Sequence, residues 1–353
     1  MATRPAQRGL GQAVSGKAVG MTLDATRDIS VVICAYTEER RHDLVAAVES
    51  IQRQSVLPRE IIVVIDHNTQ LFERVRTHIP GVKVIENSEP KGSSGARNSG
   101  ITVAQGTLIA FLDDDATAEP DWLERLGCCC QDPQVLGAGG VVEPLWLSKR
   151  PTWFPQEFYW VVGCSYQKPP DTPTAVRNLL AGCMCLQRKV FEAVGGFRNE
   201  IGRVGSYPMG VEETELCIRA AQHWPDKAFL CDPYARIHHR IPPHRASWRY
   251  FRVRCYAEGL SKAMMCRYVG AKDSLSSERS YIYQTLPKGI LRGIMDALFH
   301  CDLTGLLRVG AIIAGLVLTT TGYLAGIIAQ RRALCKEVST IANSSLRSFT
   351  ASK

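Results

Sequence analysis

Four short apolar runs, three of them followed by a helical repeat, constrain this chain more than anything else in it. Ile29 to Tyr36 (ISVVICAY) shows no alternation of apolar and polar residues, which is how a strand covered on both faces reads. Leu44, Val45, Val48 and Ile51 then recur at three and four, the spacing of one helix face. After Pro58 comes a second buried strand, Ile61 to Ile65, ending at Asp66, and a helical stretch (Leu71, Val75, Ile79) that stops at Pro80-Gly81. Val82 to Ile85 is a third strand. A Gly-rich turn from Gly92 to Gly95 opens a helix through Ala96, Ile101 and Ala104, and Thr107 to Leu112 makes a fourth strand that runs into Asp113-Asp114-Asp115. Strands alternating with helices predict a parallel sheet with crossover helices, an α/β fold.

Open parallel sheets bind ligands outside the carboxyl ends of their strands. The polar residues gather there: Tyr36 to Glu39 after the first strand, Asp66 after the second, the acidic triplet after the fourth. Asp113 and Asp115, two apart on an extended segment, point to the same side of the chain. As hard oxygen donors they can hold Mg²⁺ or Mn²⁺ shared with substrate phosphates; the competing reading is a solvated acidic loop. Asp66 can accept from a nucleotide base, and Tyr36 can stack on one. The turn Lys91-Gly92-Ser93-Ser94-Gly95-Ala96-Arg97 is neither a P-loop nor a dinucleotide fingerprint, but Lys91 and Arg97 can contact phosphate or ribose.

Beyond Pro120 the pattern loosens. Trp146 to Tyr166 reads as an irregular aromatic rim, a helix stops at Gly195-Gly196, and Glu212 to Ala221 is helical with Glu212, Glu213 and Glu215 in its first turn. The 353 residues are 45% hydrophobic and 22% charged, which excludes a disordered, collagen-like or mainly transmembrane chain. Charge is uneven: from Arg240 onward there are 17 basic and 6 acidic residues, and before it 25 and 28. A near-neutral domain with a basic C-terminal surface follows, rather than a nucleic-acid binder. Thirteen cysteines lie mostly in apolar stretches without zinc-site spacing. They read as reduced thiols in a reducing compartment. Residues 1–27, basic and lacking a signal-like apolar run, read as a flexible tail.

Taken together, VVICAYTEER, EIIVVIDHN, KGSSGARNSG, LIAFLDDDA, the GGF at Gly195 and GVEETELCIR resemble the family 2 glycosyltransferases of the GT-A fold. They occur in that family's order and spacing over about 60% of the chain. WFPQEFYWVVGC, with EETELCIR and HHR, looks closest to a branch acting on polyprenyl- or dolichyl-phosphate-linked sugars, in which a glucuronosyltransferase is known. The resemblance implies a metal-dependent, inverting transferase that uses a nucleoside-diphosphate sugar, a UDP-sugar by preference. Ala35, Tyr36 and Glu39 match the first uridine-contacting loop, Asp66 the acid that reads uracil, and Lys91 and Gly92 the next nucleotide-contacting turn. Asp113 and Asp115 match the metal-and-ribose DxD pair with Asp114 between them. Glu213 falls where the family carries its general base, although the family's Glu-Asp pair is here Glu212-Glu213, so Glu212 stays a rival. His239 fits a late histidine that can ligate the metal, with His238 as its rival.

A sugar-1-phosphate nucleotidyltransferase would need a Gly-rich loop after the first strand, and Cys34-Ala35-Tyr36-Thr37 is not one. A non-catalytic nucleotide-sugar binder would not need both acidic groups. Val309 to Ala329 is 21 residues without a charge, between Arg308 and Arg331-Arg332, long enough for a hydrocarbon core of about 30 Å. Leu286 to Leu307 suits a membrane-surface helix. Arg240, Arg245, Arg249, Arg252 and Arg254, with Trp248, Tyr250 and Phe251 among them, could bind RNA and equally suit a lipid diphosphate or an anionic headgroup; the apolar segment tips the reading toward the membrane. The chain is therefore expected to divide into a catalytic domain over 28–245, a basic amphipathic helical region over 246–302, an apolar membrane-associated helix over 303–332 and a tail over 333–353. The catalytic domain is expected to face the cytoplasm, whether the helix spans or lies flat; the competing reading is a core helix of a soluble domain.

Overall fold

A computed structural model describes residues 28–350 apart from 168, 204–208 and 275. The tail read over 1–27 lies outside them. One sheet holds the nine strands found among the described residues. Its first half is β1 (Ile29–Ala35), β2 (Glu60–Ile65), β3 (Lys83–Glu86) and β4 (Leu108–Asp113), all parallel, in the order β3-β2-β1-β4. Between them run α1 (Arg41–Gln52), α2 (Thr69–His78) and α3 (Ser93–Val103). The unbroken apolar runs follow from cover on both sides. Val31 and Ile33 pack with Leu44, Val48 and Ile51 of α1, whereas Val32 packs with Ile62, Ala96 and Phe111 on the other face.

The second half was not evident from sequence pattern. β5 (Ala116–Ala118), β6 (Val135–Trp146), β7 (Thr174–Val176), β8 (Cys183–Gln187) and β9 (Ala228–Ile241) extend the sheet, with β8 antiparallel to β4 and to β6, and β9 parallel to β6. β6 carries Gly137, Gly139 and Gly140 where neighbouring backbone leaves no room: a Cβ on Gly140 would lie 1.8 Å from the Ala235 carbonyl oxygen. Close approach has replaced side-chain periodicity there. The helices α4 (Trp122–Cys129), α5 (Arg188–Val194) and α6 (Glu212–His223) cover this half. The aromatic stretch includes a short 3₁₀ segment, Gln156–Val162, whose Phe158 is fully buried.

The chain then becomes helical: α7 (Trp248–Val269), the short α8 (Ala271–Ser274) and α9 (Ser276–Ser280), a π-turn at Tyr281–Thr285, α10 (Leu286–Phe299) and α11 (Thr304–Thr350). Thr304–Arg332 is long and apolar enough to cross a membrane. It is nonetheless packed on the chain along one side. Gly305 meets Gly293 of α10, Gly315 meets the Phe158 ring, Gly322 meets the Tyr256 backbone and Gly326 meets Ala263. The opposite face exposes Leu306, Ile313, Val317, Leu324 and Ile328.

Gly259 lets α7 and α11 touch backbone to backbone. A Cβ there would lie 2.0 Å from the Thr319 carbonyl oxygen and 2.5 Å from the Tyr323 nitrogen. Gly259→Ala is therefore expected to cost about 1–3 kcal/mol through overpacking, read as a lower midpoint in thermal unfolding of the detergent-solubilised protein. An unchanged midpoint would mean that α11 is free to move away.

Candidate active site

The carboxyl ends of β1, β2 and β4 open on one cavity of about 1500 Å³. Of the residues singled out from sequence, Ala35, Tyr36, Asp66, Gly92, Arg97, Asp113, Asp114, Asp115, Glu212, Glu213 and His239 line it. Glu39 and Lys91 do not; both side chains are exposed. Asp66 ends β2 and is buried. Its carboxylate accepts from Asn87 Nδ2 at 2.7 Å and from the Gly92 backbone N–H at 3.0 Å. Gly92 caps α3 at φ 134°, a backbone state that only glycine takes without strain. Its place in the sequence thus fixes the turn as well as opening the helix. The Tyr36 ring has the Arg40 guanidinium 5.3 Å from its centre.

Asp113, Asp115 and His239 each offer a ligand atom, all within 4.8 Å of one another. Two carboxylate oxygens and an imidazole nitrogen are a donor set that fits Mn²⁺ or Mg²⁺, so the residues present suit the ion that this acidic motif implies. Strand parity separates the two histidines. On β9 His239 turns its Nε2 to Asp115 Oδ1 at 2.9 Å, while His238 faces away to Glu119 at 2.6 Å. Sequence reasoning passed over Arg40, and it took Arg245 for surface. Both hold Asp115 Oδ2, at 3.0 and 3.3 Å, and Arg245 is buried.

The electrostatics of the triplet are uneven. Burial would raise the Asp115 carboxyl, but His239, Arg245 and Arg40 outweigh it and hold it well below the usual range. Burial also opposes an imidazolium at His239, yet Asp115 raises its pKa well above the ordinary value. Asp114 is pushed up to about 7 by burial and by Asp115 beside it, against Arg40. Among the described residues its buried Oδ2 has no hydrogen-bond partner.

The two glutamates at the start of α6 differ sharply. Val211 enters the helix at φ 73°. Glu212 is buried, and its Oε1 accepts from Arg97 Nη1 at 2.8 Å and Ser93 Oγ at 3.1 Å. Arg97 also reaches Asp113 at 3.4 Å, so one guanidinium joins the acidic triplet to the glutamate pair. Among the described residues no cation touches the Glu213 carboxylate, which accepts from Thr214 Oγ1 at 3.2 Å. Burial, then the neighbouring Glu212, pushes it up to about 8. Glu215, the third acid, is fully buried and paired with Arg198 and Arg219 at 2.8 Å, so it serves the fold.

The cavity also takes walls from beyond residue 245. Arg254, Glu258 and Lys262 line it from α7, and Glu278 and Arg279 from α9, facing Arg177 just after β7. The signal was present in the sequence as i, i+4, i+8 spacing, but charges so spaced usually mark a solvated helix face.

The chain was compared with known proteins. Residues 30–195 match a family model described as glycosyl transferase family 2. Over 241 residues the chain is 34% identical to the glucosyl-dolichyl phosphate glucuronosyltransferase of Haloferax volcanii, covering 67% of this chain and 77% of that protein. Over 245 residues it is 25% identical to the succinoglycan biosynthesis protein ExoM of Rhizobium meliloti, covering 66% and 74%. Among solved structures, the mannosyltransferase of Pyrobaculum calidifontis in complex with GDP-Man and Mn²⁺ superposes with a TM-score of 0.53 over 83% of this chain and 86% of that one, at 16% identity. The likeness to that structure is one of fold. The GT-A architecture expected from the motifs is the one found.

Proposed function

The chain belongs to glycosyl transferase family 2 and is a glycosyltransferase, and from that membership we infer that it moves a sugar from a nucleoside-diphosphate donor, a UDP-sugar, to a lipid-linked saccharide with inversion. One juxtaposition carries the reading: the Asp113–Asp115–His239 group shares a cavity with Glu213, and Arg97 ties Asp113 to the neighbouring Glu212. Its relatives support the acceptor class, since one is by name a glucosyl-dolichyl phosphate glucuronosyltransferase and another, 30% identical over 89 residues, is by name a glucosyltransferase acting on a GlcNAc-diphosphoundecaprenol.

We assign the roles as follows. Asp66, fixed by Asn87 and Gly92, reads the base, and Ala35 and Tyr36 shape the slot beside it. Glu39 and Lys91 are left at the rim, where Lys91 can reach a phosphate from outside. Asp113, Asp115 and His239 would hold Mg²⁺ or Mn²⁺, with Asp114 behind them. When bound, that ion would neutralise charge developing on the diphosphate leaving group. Glu213 takes the proton of the acceptor hydroxyl at its carboxylate. Glu212, bound to Arg97, positions rather than reacts. Attack from the face opposite the diphosphate inverts the anomeric centre.

Membrane attachment belongs to the same proposal, with the site on the cytoplasmic side. The apolar faces of α10 (Leu291, Ile294, Met295, Leu298) and α11 lie outward. A spanning α11 would drag α7 with it, and exposed Arg249 and Arg252 into hydrocarbon. A helix lying in the interface keeps its packed side on protein and its open side in lipid.

The test is thermal unfolding with UDP and Mn²⁺ together. At a hundredfold excess over Kd, mass action stabilises the fold by about 2.7 kcal/mol, and EDTA should remove the gain. A midpoint indifferent to UDP with either ion would sink the donor reading.

A further inference from the structure

The cavity is larger than one donor requires. Single small-molecule sites run to roughly 300–1,000 Å³, and this one measures about 1500 Å³. Away from the acidic triplet its lining follows successive turns of α7, through Arg254, Glu258, Lys262 and Met265, and takes in α11; this stretch is the second arm of the cavity.

The arm changes character along its length. Next to the glutamate pair stands Arg254, whose Nη2 would lie 3.0 Å from a Cβ on Gly210, one residue before Val211. Arg254 donates to Glu258 at 2.8 Å, Lys262 lies 3.6 Å from Glu258 and pairs with Glu278, and Arg177 pairs with Glu278 at 3.0 Å. Arg254, Lys262 and Arg177 face Glu258 and Glu278 on this wall, an excess of one positive charge that is largely shielded from water, while Arg279, which also lines the cavity, is exposed. Trp160, Tyr166 and Tyr281 stand beside them. Leu316, Thr319, Thr320 and Tyr323 of α11 line the same cavity, as do Ile282 and Tyr283. Tyr283 is 78% exposed there, and Val317 and Leu324 on the outer face of the same helix are open.

Positive charge in the middle, aromatic rings around it and an apolar mouth at an open apolar helix match a molecule with sugar, phosphate and hydrocarbon in that order. Buried ionic ladders add little stability over apolar packing, so an anion-binding role accounts for one better than folding does. We propose that this arm is the acceptor site, that Arg254 and Lys262 grip the phosphate of a lipid-linked saccharide, and that the hydrocarbon leaves between α11 and the Tyr281–Thr285 turn. The proposal rests on the transferase reading and adds the residues that would select the acceptor.

The experiment uses the full chain in detergent, with farnesyl phosphate and farnesol as probes read by tryptophan fluorescence, and UDP with Mn²⁺ titrated in parallel. Farnesyl phosphate should bind at least tenfold tighter than farnesol. Lys262→Gln and Arg254→Gln should erase that preference, with UDP–Mn²⁺ affinity within about threefold of wild type. Thr320→Trp, at an exposed position on the mouth, should weaken farnesyl phosphate tenfold without disturbing the fold, and it carries the test if the α7 variants misfold. Equal binding of phosphate and alcohol, or wild-type binding in both Lys262→Gln and Thr320→Trp, overturns the proposal. If wild type shows the phosphate preference but no UDP–Mn²⁺ binding, the donor reading fails and the arm stands.

Discussion

Glu213→Gln is expected to lower turnover by about 10²–10⁴-fold, the usual contribution of a positioned base, while leaving the fold more stable than wild type at neutral pH. The two effects have one origin. Burial and Glu212 push the Glu213 carboxyl up to about 8 from an ordinary 4.5, so the folded protein binds a proton there that the unfolded chain gives up. The associated stability is fully present below about pH 4.5 and is lost as pH rises through about 8. Glutamine has no proton to lose, so the melting midpoint of the variant should pull ahead of wild type across that window and level off above it. The same group sets the rate profile. For a base that must be ionised, kcat/KM of wild type should climb with pH to a plateau above about 8. If Glu213→Gln keeps full activity, Glu212 is the base; if it loses activity and stability together, Glu213 serves the fold.

Asp115→Asn should be the most damaging change in the acidic triplet, for stability as well as turnover. Asp115 alone faces His239, Arg40 and Arg245, all within 3.3 Å. Removing its charge leaves buried cations uncompensated, which costs about 3–5 kcal/mol where one partner of a buried pair is deleted. Asp113 has a side chain 41% exposed and one cation at 3.4 Å. Asp113→Asn should therefore lose Mn²⁺-dependent activity with little change in melting. Calorimetry of both variants, with a Mn²⁺ titration of each, separates the two roles. Equal midpoints would show that Arg40 and Arg245 do not depend on Asp115 for their charge balance.

How much of this was legible in the chain depends on where packing leaves a trace in residue type. Strands β1, β2 and β4 are covered on both faces, so their runs of valine and isoleucine announced them, and with them the edge at which Asp66 and Asp113 sit. β6 buries its backbone against Ala235 and Cys185, and the glycines that allow this carry no apolar period. The rival histidines could not be separated without β9, because only strand parity turns one of them inward. Arg40 begins a helix and looks like any solvated first-turn residue, yet it reaches Asp114 and Asp115 across the site. The α7 ladder was invisible for the opposite reason: alternating charges at four-residue spacing look the same whether they face water or a cavity.

The glycine contacts of α11 have a practical side. The helix whose outer face is apolar and open is also a wall of the cavity, through Leu316, Thr319, Thr320 and Tyr323. A fragment trimmed before Thr304 to gain solubility would uncover Phe158 and the Gly259 face of α7 and open the cavity on that side. Attachment and active-site shape cannot be engineered apart in this chain. On the proposed reading, an enzyme so built would work on a carrier that diffuses in two dimensions beside it, and would never have to lift that carrier into water.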